Sequence, residues 1–387
     1  MSQPFAGVVV ADFSHVMAGP YASHLLRLMG AEVIKIEPKG GDAFRNYGGD
    51  RRYDGMAPAF LAANAGKKSI ALDLKDPEDA AVARAIVERA DVLLENFRPG
   101  VITRLGLGYE AVRGFNPDIV YCSVSGYGQD GPYRDWPAID NIVQATSGMM
   151  MLSGDDGDPP VRVGFPIVDT LTGQSAALAI VAALFRRERG GGGSLIDVAM
   201  LDASLAFMTS ALTPFLVTGK AMPRMGNTGY SGLPTAALFT VRGGRQISLG
   251  VVQPGQFIAL AKYFGREDWL VDARFATPDA RRANFAAMSA ELDHEFADRD
   301  GHVVEAELSG QGIPCGLVRS VDEATAMARP GALLPLTIPG LPDGEAVSIP
   351  NAGFRMIPDG PNLDAAAPRL DQDRDEIMRW LKASAAP

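Results

Sequence analysis

The stretch "GVVVADFSHVMAGPYASHLLRLMGAEVIKIE", residues 7–37, decides the class of fold. GVVVADF (7–13) is a short apolar run of the kind shown by a parallel strand buried on both faces. GPYASHLLRLMG (19–30) has helical spacing and a closing glycine, and AEVIKIE (31–37) is a second strand. The same alternation returns downstream. SIALDL (69–74) reads as a strand and PEDAAVARAIVERA (77–90) as a helix with proline near its start. DVLLENF (91–97) and DIVYCSVSGYG (118–128) read as further buried strands. This β-α-β rhythm predicts a doubly wound α/β domain with ligands at the carboxyl ends of its strands.

After residue 200 the character changes. MLDASLAFMTSALTPFLV (200–217) reads as one long helical segment, followed by a Gly- and Pro-rich passage at 219–234. FTVRGGRQISLGVV (239–252) reads as a hairpin, and helical stretches, RRANFAAMSAELDHEFADRD (281–300) among them, run to about residue 309. The expected organisation is a large domain over 1–200, a linker helix region over 201–224 and a small α+β domain over 225–325. Residues 326–387 then return to the large domain, ending in the helix of DQDRDEIMRWLKAS.

Composition narrows the function. A net charge of -10 over 387 residues argues against nucleic acid, whose phosphates need clustered Lys and Arg. Two cysteines, Cys122 and Cys315, make neither a disulfide framework nor a four-ligand zinc site. The longest strongly apolar run, SAALAIVAALF (175–185), is shorter than the ~20 residues that span a bilayer. The first residues lack the basic and apolar regions of a signal peptide. A soluble protein of the cytoplasm is expected, with no membrane partner.

Glycine and histidine motifs carry little. The run Gly190–Gly193 stands in the order helix, glycines, strand, the reverse of a phosphate-cradling loop, and reads as a flexible turn. Neither G-x-G-x-x-G after the first strand nor G-x-x-x-x-G-K-[ST] occurs, so an ordinary dinucleotide or nucleoside-triphosphate site is not expected. The four histidines show no metal-ligand spacing. His294 and His302 read as surface residues. His15, at the end of the first strand, either satisfies a backbone contact or touches a ligand. Asp169 stands where the extended run opening VGFPIVDTLTGQSAALAIVAALFRRERG (163–190) meets a helix. That position suits a helix cap and a nucleophile alike.

Several segments together resemble the family III CoA-transferases, the group that includes formyl-CoA transferase, carnitine CoA-transferase and the α-methylacyl-CoA racemases. They are DFSHVMAGPYAS, LMGAEVIKIEPKGGD, KKSIALDLKDPE, DVLLENFRPGVITRLGLGYE, YCSVSGYGQDGPYRDWPAIDNIVQATSGMM, VRVGFPIVDTLTGQSAALAIVAAL, GSLIDVAMLDA and GIPCGLV, in family order along nearly the whole chain. The resemblance implies an α/β fold with a large Rossmann-like CoA-binding domain built from both chain ends, a smaller α+β domain and an interlocked homodimer. It places CoA contacts at Met17, Ala18, Leu72, Asp73, Leu74, Lys75, Asn96, Phe97, Arg98, Arg104, Ala138, Ile139 and Asp140. Lys75 and Arg104 can meet phosphates, and Phe97 offers a flat apolar face to adenine.

The resemblance also puts Asp169 on the catalytic aspartate. That residue passes through an aspartyl-acyl anhydride and an aspartyl-CoA thioester. Coenzyme A is then a substrate, carried on an acyl-CoA, and no cofactor or metal is held permanently. His15 is a substrate-side candidate. The shortened loop GNTGYSGLP (226–234) departs from the long glycine loop of the formyl-CoA type, so Gly226, Asn227 and Gly229 are expected to do a reduced version of its shielding. Near the C-terminus PRLDQDRDEI replaces the family's usual text. The short chain and loop look more like the dicarboxylate-using members, such as the succinyl-CoA-dependent transferases acting on malate, itaconate, mesaconate or glutarate.

Three rivals remain. A racemase needs a histidine where Ile139 stands, and isoleucine cannot shuttle a proton. An intramolecular CoA shift would use the same aspartate. A silent CoA-binding protein would leave Asp169 as a cap.

Overall fold

The structure is a computed structural model that describes residues 3–48, 53–338, 347–363 and 365–383. Two compact units emerge. The first joins Met1–Met149, Arg162–Val217 and Arg329–Pro387, and the second joins Met150–Val161 and Thr218–Ala328. Residues 150–161, expected in the large domain, thus cluster with the second unit, and most of the expected 201–224 linker belongs to the first.

The first unit opens with β1 (Val9–Asp12), α1 (Ala18–Leu28), β2 (Glu32–Glu37), α2 (Pro58–Asn64), β3 (Lys68–Ala71) and α3 (Pro77–Glu88). It continues with β4 (Val92–Glu95), α4 (Val101–Arg104), α5 (Tyr109–Arg113), β5 (Val120–Ser125), α6 (Asp140–Thr146), α7 (Ile167–Arg186) and β6 (Ser194–Ala199). Then come α8 (Met200–Phe207) and α9 (Thr209–Thr218). The strands form one parallel sheet in the order β3-β2-β1-β4-β5-β6. Every residue of β4 and β5 is buried, which is why their sequences run apolar without alternating. Val10, aligned with Val33 on one side and Val92 on the other, lies at the centre of the core between sheet and helices.

Local chemistry sets the ends of elements. Asp76 caps α3 by accepting the N–H groups of Glu78 and Asp79, with Pro77 in the first helical position. β3 ends at Ala71, so Leu72–Lys75 form a turn beyond it. The glycine run is the helix-to-strand turn read from its order, and Arg186 Nη1 closes it on Ser194 Oγ at 2.8 Å. A Cβ at Gly193 would lie 2.6 Å from the carbonyl oxygens of Ile119 and Pro117, so only glycine fits.

Two helical expectations need correction. The segment 200–217 is two helices, α8 and α9, bent by 81°. Ser204 Oγ bonds back to the Met200 carbonyl just before the break, a contact that weakens the helical ladder. By length and composition, Ile167–Gly191 is long and apolar enough to cross a membrane, contrary to the shorter run counted from sequence. Half of its most apolar window is buried, its inner face packing on α1, β5 and β6.

In the second unit β7 (Leu238–Thr240) and β8 (Gln246–Leu249) form the expected hairpin. Next come α10 (Pro254–Phe264), α11 (Pro278–Ala283), α12 (Phe285–Ala297), α13 (Gly301–Gly310), β9 (Cys315–Leu317) and α14 (Val321–Thr325). β9 pairs with β8, and Phe257, Leu260, Trp269, Leu292 and Phe296 fill the core beneath. The chain re-enters the first unit as an antiparallel pair, β10 (Leu333–Leu336) and β11 (Val347–Pro350), then α15 (Arg374–Ala383).

The PRLDQDRDEI segment seals the β3 edge of the sheet. Asp373 and Asp371 accept the N–H groups of Ser69 and Ala71 at 2.8 Å each, and Asp373 N–H donates to the Ser69 carbonyl. Ile377 of α15 enters the core beside Ile34 and Ile70. An open strand edge is thereby covered by the chain's own carboxylates.

Candidate active site

The strand order reverses between β1 and β4, the switch point at which the loops of doubly wound sheets diverge and open a crevice for ligands. Residues 13–17 follow β1 and 96–100 follow β4. The Asn96 side chain clasps the first loop: Oδ1 accepts the His15 N–H and Nδ2 donates to the His15 carbonyl, both at 2.8 Å. The His15 ring meets Phe97 edge-on, with centroids 4.7 Å apart. Burial, then the nearby Lys35 charge, lowers the His15 pKa, so its imidazole is neutral at pH 7. The next residue, Val16, has φ +65, a costly conformation for a β-branched side chain. Its N–H is held by Asp42 Oδ2 at 3.1 Å, and Lys35 Nζ reaches both Asp42 and the Ser14 carbonyl.

Beneath this loop Asp12 is fully buried. It accepts from Ser14, from Ser23 Oγ at 2.6 Å and from Lys67 Nζ at 2.9 Å. Burial works against its charge, yet Lys67, Lys35 and the two hydroxyls hold it well below the usual carboxylate range. Burial in turn pulls Lys67 down to about 8. A buried ion pair of this kind persists only when its remaining polar atoms are satisfied; Lys67 also donates to the Pro20 carbonyl and to Asn64 Oδ1.

Asp169 lies in the first turn of α7. One turn further on, a Cβ at Gly173 would lie 2.6 Å from the Ala18 carbonyl oxygen. Positions four apart share a helix face, so Asp169 is directed along the side of α7 that meets the Met17–Ala18 loop. Asp169 does not cap its helix. Among the described residues its carboxylate makes no side-chain hydrogen bond. Asp140 caps instead: its Oδ1 accepts the N–H groups of Val168 at 2.7 Å and Asp169 at 3.2 Å. Asp140 Oδ2 takes Gln144 Nε2 at 2.6 Å, and Gln144 Oε1 takes the Val163 N–H at 2.9 Å, tying down the approach to α7. Burial, with the Asp140 charge second, pushes Asp169 up to about 7.

The remaining candidates divide clearly. Ala138 packs on Gly126, just past the carboxyl end of β5, and Ile139 is exposed. Leu72–Lys75 follow β3, so these segments all leave the same edge of the sheet as the crevice loops. Leu72 itself is in the core; Asp73 Oδ1 holds the Lys75 N–H at 3.0 Å, and the Leu74 side chain packs on that core. Lys75, Arg98 and Arg104 are exposed and have no ion pair among the described residues. Asn96 is largely committed to His15. Gly226, Asn227 and Gly229 belong to the second unit, where the Gly226 N–H bonds the Gly154 carbonyl at 3.0 Å.

Several supporting residues were not singled out from sequence: Asp12, Lys35, Asp42 and Lys67 at the loop after β1, and Glu95 and Gln144. Glu95, 2% exposed at the end of β4, accepts the Phe97 N–H at 2.8 Å, and burial pushes it up to about 7. An acid closing an apolar strand was its signal. Gln144 was marked only by its spacing of one helical turn from Asp140. Among the described residues no cluster of three or more His, Cys, Asp or Glu is arranged for a metal ion.

The profile of "CoA-transferase family III" matches residues 5–374. This chain belongs to that family. It is a CoA-transferase, an enzyme that moves CoA between an acyl-CoA and a carboxylic acid. An acetyl-CoA:oxalate CoA-transferase of Acetobacter aceti is 38% identical over 99% of this chain and 97% of the relative. A succinate–glutarate CoA-transferase of Agrobacterium fabrum is 36% identical over 84% of this chain and 82% of its own. The crystal structure of a CAIB/BAIF family protein from Brucella suis superposes with a TM-score of 0.87 at 31% identity, covering 98% of this CoA-transferase and all of that chain.

Proposed function

We propose that Asp169 is the nucleophile of a transfer that moves CoA from an acyl-CoA, succinyl-CoA among the donors, to a dicarboxylic acid. The Asp169 carboxylate attacks the donor carbonyl and expels CoA thiolate, leaving an aspartyl-acyl anhydride. The thiolate attacks the aspartyl carbonyl, releasing the donor acid and forming an aspartyl-CoA thioester. The acceptor carboxylate attacks that thioester, and the thiolate released takes the new acyl group, freeing Asp169. The observation that carries this reading is a carboxylate at a helix start with its capping work done by Asp140, so that among the described residues no hydrogen bond blunts its attack.

The crevice residues support a Rossmann-like CoA site: Met17 and Ala18 beside α7, Leu72–Lys75, the Asn96–Arg98 loop, Arg104 and Ala138–Asp140. His15 and the 226–229 loop are the substrate-side candidates. The acceptor class draws on the two relatives, whose named acids, oxalate and glutarate, are both dicarboxylates. Exposed apolar residues on α7 (Leu178, Phe185), the edge strand β6 (Leu195) and α8–α9 (Phe207, Leu216, Val217) support an interlocked homodimer that buries them. Two unpaired cysteines suit the cytoplasm.

Incubation with succinyl-CoA or acetyl-CoA and a panel of dicarboxylates tests the reading. New acyl-CoA is expected from the wild type and none from Asp169→Ala, while the variant still binds acyl-CoA. Undiminished exchange by Asp169→Ala would sink it.

A further inference from the structure

The turn after β4 brings beside Arg104 a residue to which the proposed function gives no role, Arg134. Gly100 has φ +80 at the start of α4, and the point where its Cβ would stand is 3.3 Å from Arg104 Nη1 and 3.6 Å from Arg134 Nη2. Two guanidiniums therefore flank one small volume. Neither has an ion pair among the described residues, and Arg134 Nε is enclosed without an acceptor. The loop bearing Arg134 is built rather than loose. Gln129 N–H is held by Asp197 Oδ2 at 2.8 Å, and the rings of Tyr133 and Trp136, on either side of Arg134 in the chain, pack with centroids 4.6 Å apart. Tyr127 closes the group at 6.1 Å from Trp136.

Two like charges brought together with part of their hydration removed repel each other, and an N–H sealed from water without an acceptor is costly. Both costs are relieved by a ligand presenting several anionic oxygens. The planar fork of arginine matches phosphate two oxygens at a time, which a single lysine cannot do. The position fits as well, since Arg104 and Arg134 follow the same two strands, β4 and β5, whose loops carry Asn96–Arg98 and Ala138–Asp140.

We propose that Arg134 acts with Arg104 as one phosphate-binding site for the CoA portion of the substrate. This rests on the reading of the crevice as a CoA site. The 3′-phosphate and the pyrophosphate bridge offer the same chemistry, and the test separates them.

Calorimetric titration of the wild type, Arg134→Gln, Arg104→Gln and the double variant is made with CoA and with 3′-dephospho-CoA. Arg134→Gln is expected to weaken CoA about tenfold, the loss of one charge-assisted contact, and the double variant less than the product of the single effects. If the 3′-phosphate is the occupant, dephospho-CoA already binds the wild type weakly and Arg134→Gln adds nothing. If the pyrophosphate is, Arg134→Gln weakens both ligands alike. Arg134→Lys, which keeps the charge, guards against a folding defect and is expected to lose part of the affinity because it lacks the fork. The proposal fails if Arg134→Gln, folded by its thermal melt, binds both ligands within about twofold of wild type while Arg104→Gln does not. A wild type that binds neither ligand overturns the CoA site itself, which is a different failure.

Discussion

Asp140, and not Asp169, caps the helix on which Asp169 stands. Asp140 reaches across from α6 and takes the free N–H groups of Val168 and Asp169, at 2.7 and 3.2 Å, while the Asp169 carboxylate, on the helix itself, has no hydrogen bond among the described residues. The donors that would have stabilised the Asp169 anion are spent on its neighbour, whose charge also opposes it. The result is a more basic and less satisfied carboxylate, as a nucleophile requires.

The pH dependence of turnover follows directly. In the proposed transfer Asp169 attacks as the anion, and burial followed by the Asp140 charge pushes its pKa up to about 7. Exchange rate should therefore rise as pH increases from 6 to 8. Replacing Asp140 by Asn keeps one capping oxygen and removes the charge, so the midpoint of the profile should move down. A wild-type rate flat across that range, or a midpoint unmoved in Asp140→Asn, would contradict this account of the pair.

Glu95 gives a stability prediction. Burial raises its folded pKa from 4.5 to about 7. Its contribution to the fold is thus fully present below about pH 4.5 and is lost as pH rises through about 7. Glu95→Gln stays neutral, so from pH 5.5 to 8.0 it should lose less denaturant stability than wild type, by on the order of 1–3 kcal/mol. Urea midpoints at the two pH values measure the difference, and parallel losses in the two proteins would refute it.

The pair Asp12–Lys67 predicts a larger effect. Both side chains are buried, and Lys67→Met would leave Asp12 with its hydroxyl donors and the Lys35 charge but without its hydrogen-bonded countercharge. A loss of about 3–5 kcal/mol is expected, the usual cost of removing one partner of a buried pair. Asp12→Asn combined with Lys67→Met should recover part of it. A lone Lys67→Met within about 1 kcal/mol of wild type in urea unfolding would show that the pair is not needed.

The sheet was legible because its strands are buried on both faces and their sequences say so: VVAD, VLLE and VYCSVS needed only the rule for parallel strands. The bend at Met208 was not, because an apolar run through 200–217 reads the same whether or not the helix breaks. The cap on α7 was hidden for another reason. It comes from Asp140, 29 residues earlier, and sequence spacing carries no sign of a bond over that separation. The bond of the Asn96 amide to the His15 backbone was also out of reach, because it depends on β1 and β4 being neighbours. The role of Asp371 and Asp373 was equally out of reach, since the edge they cover is defined only once β3 is known to lie outermost.

The central claim is that Asp169 becomes covalently acylated. The enzyme is incubated with succinyl-CoA or another acyl-CoA and hydroxylamine, digested, and the peptide bearing Asp169 weighed by mass spectrometry. A hydroxamate on Asp169, absent without acyl-CoA and absent from Asp140-bearing peptides, is the predicted result. An enzyme that turns over CoA while every Asp169 peptide stays unmodified would contradict it.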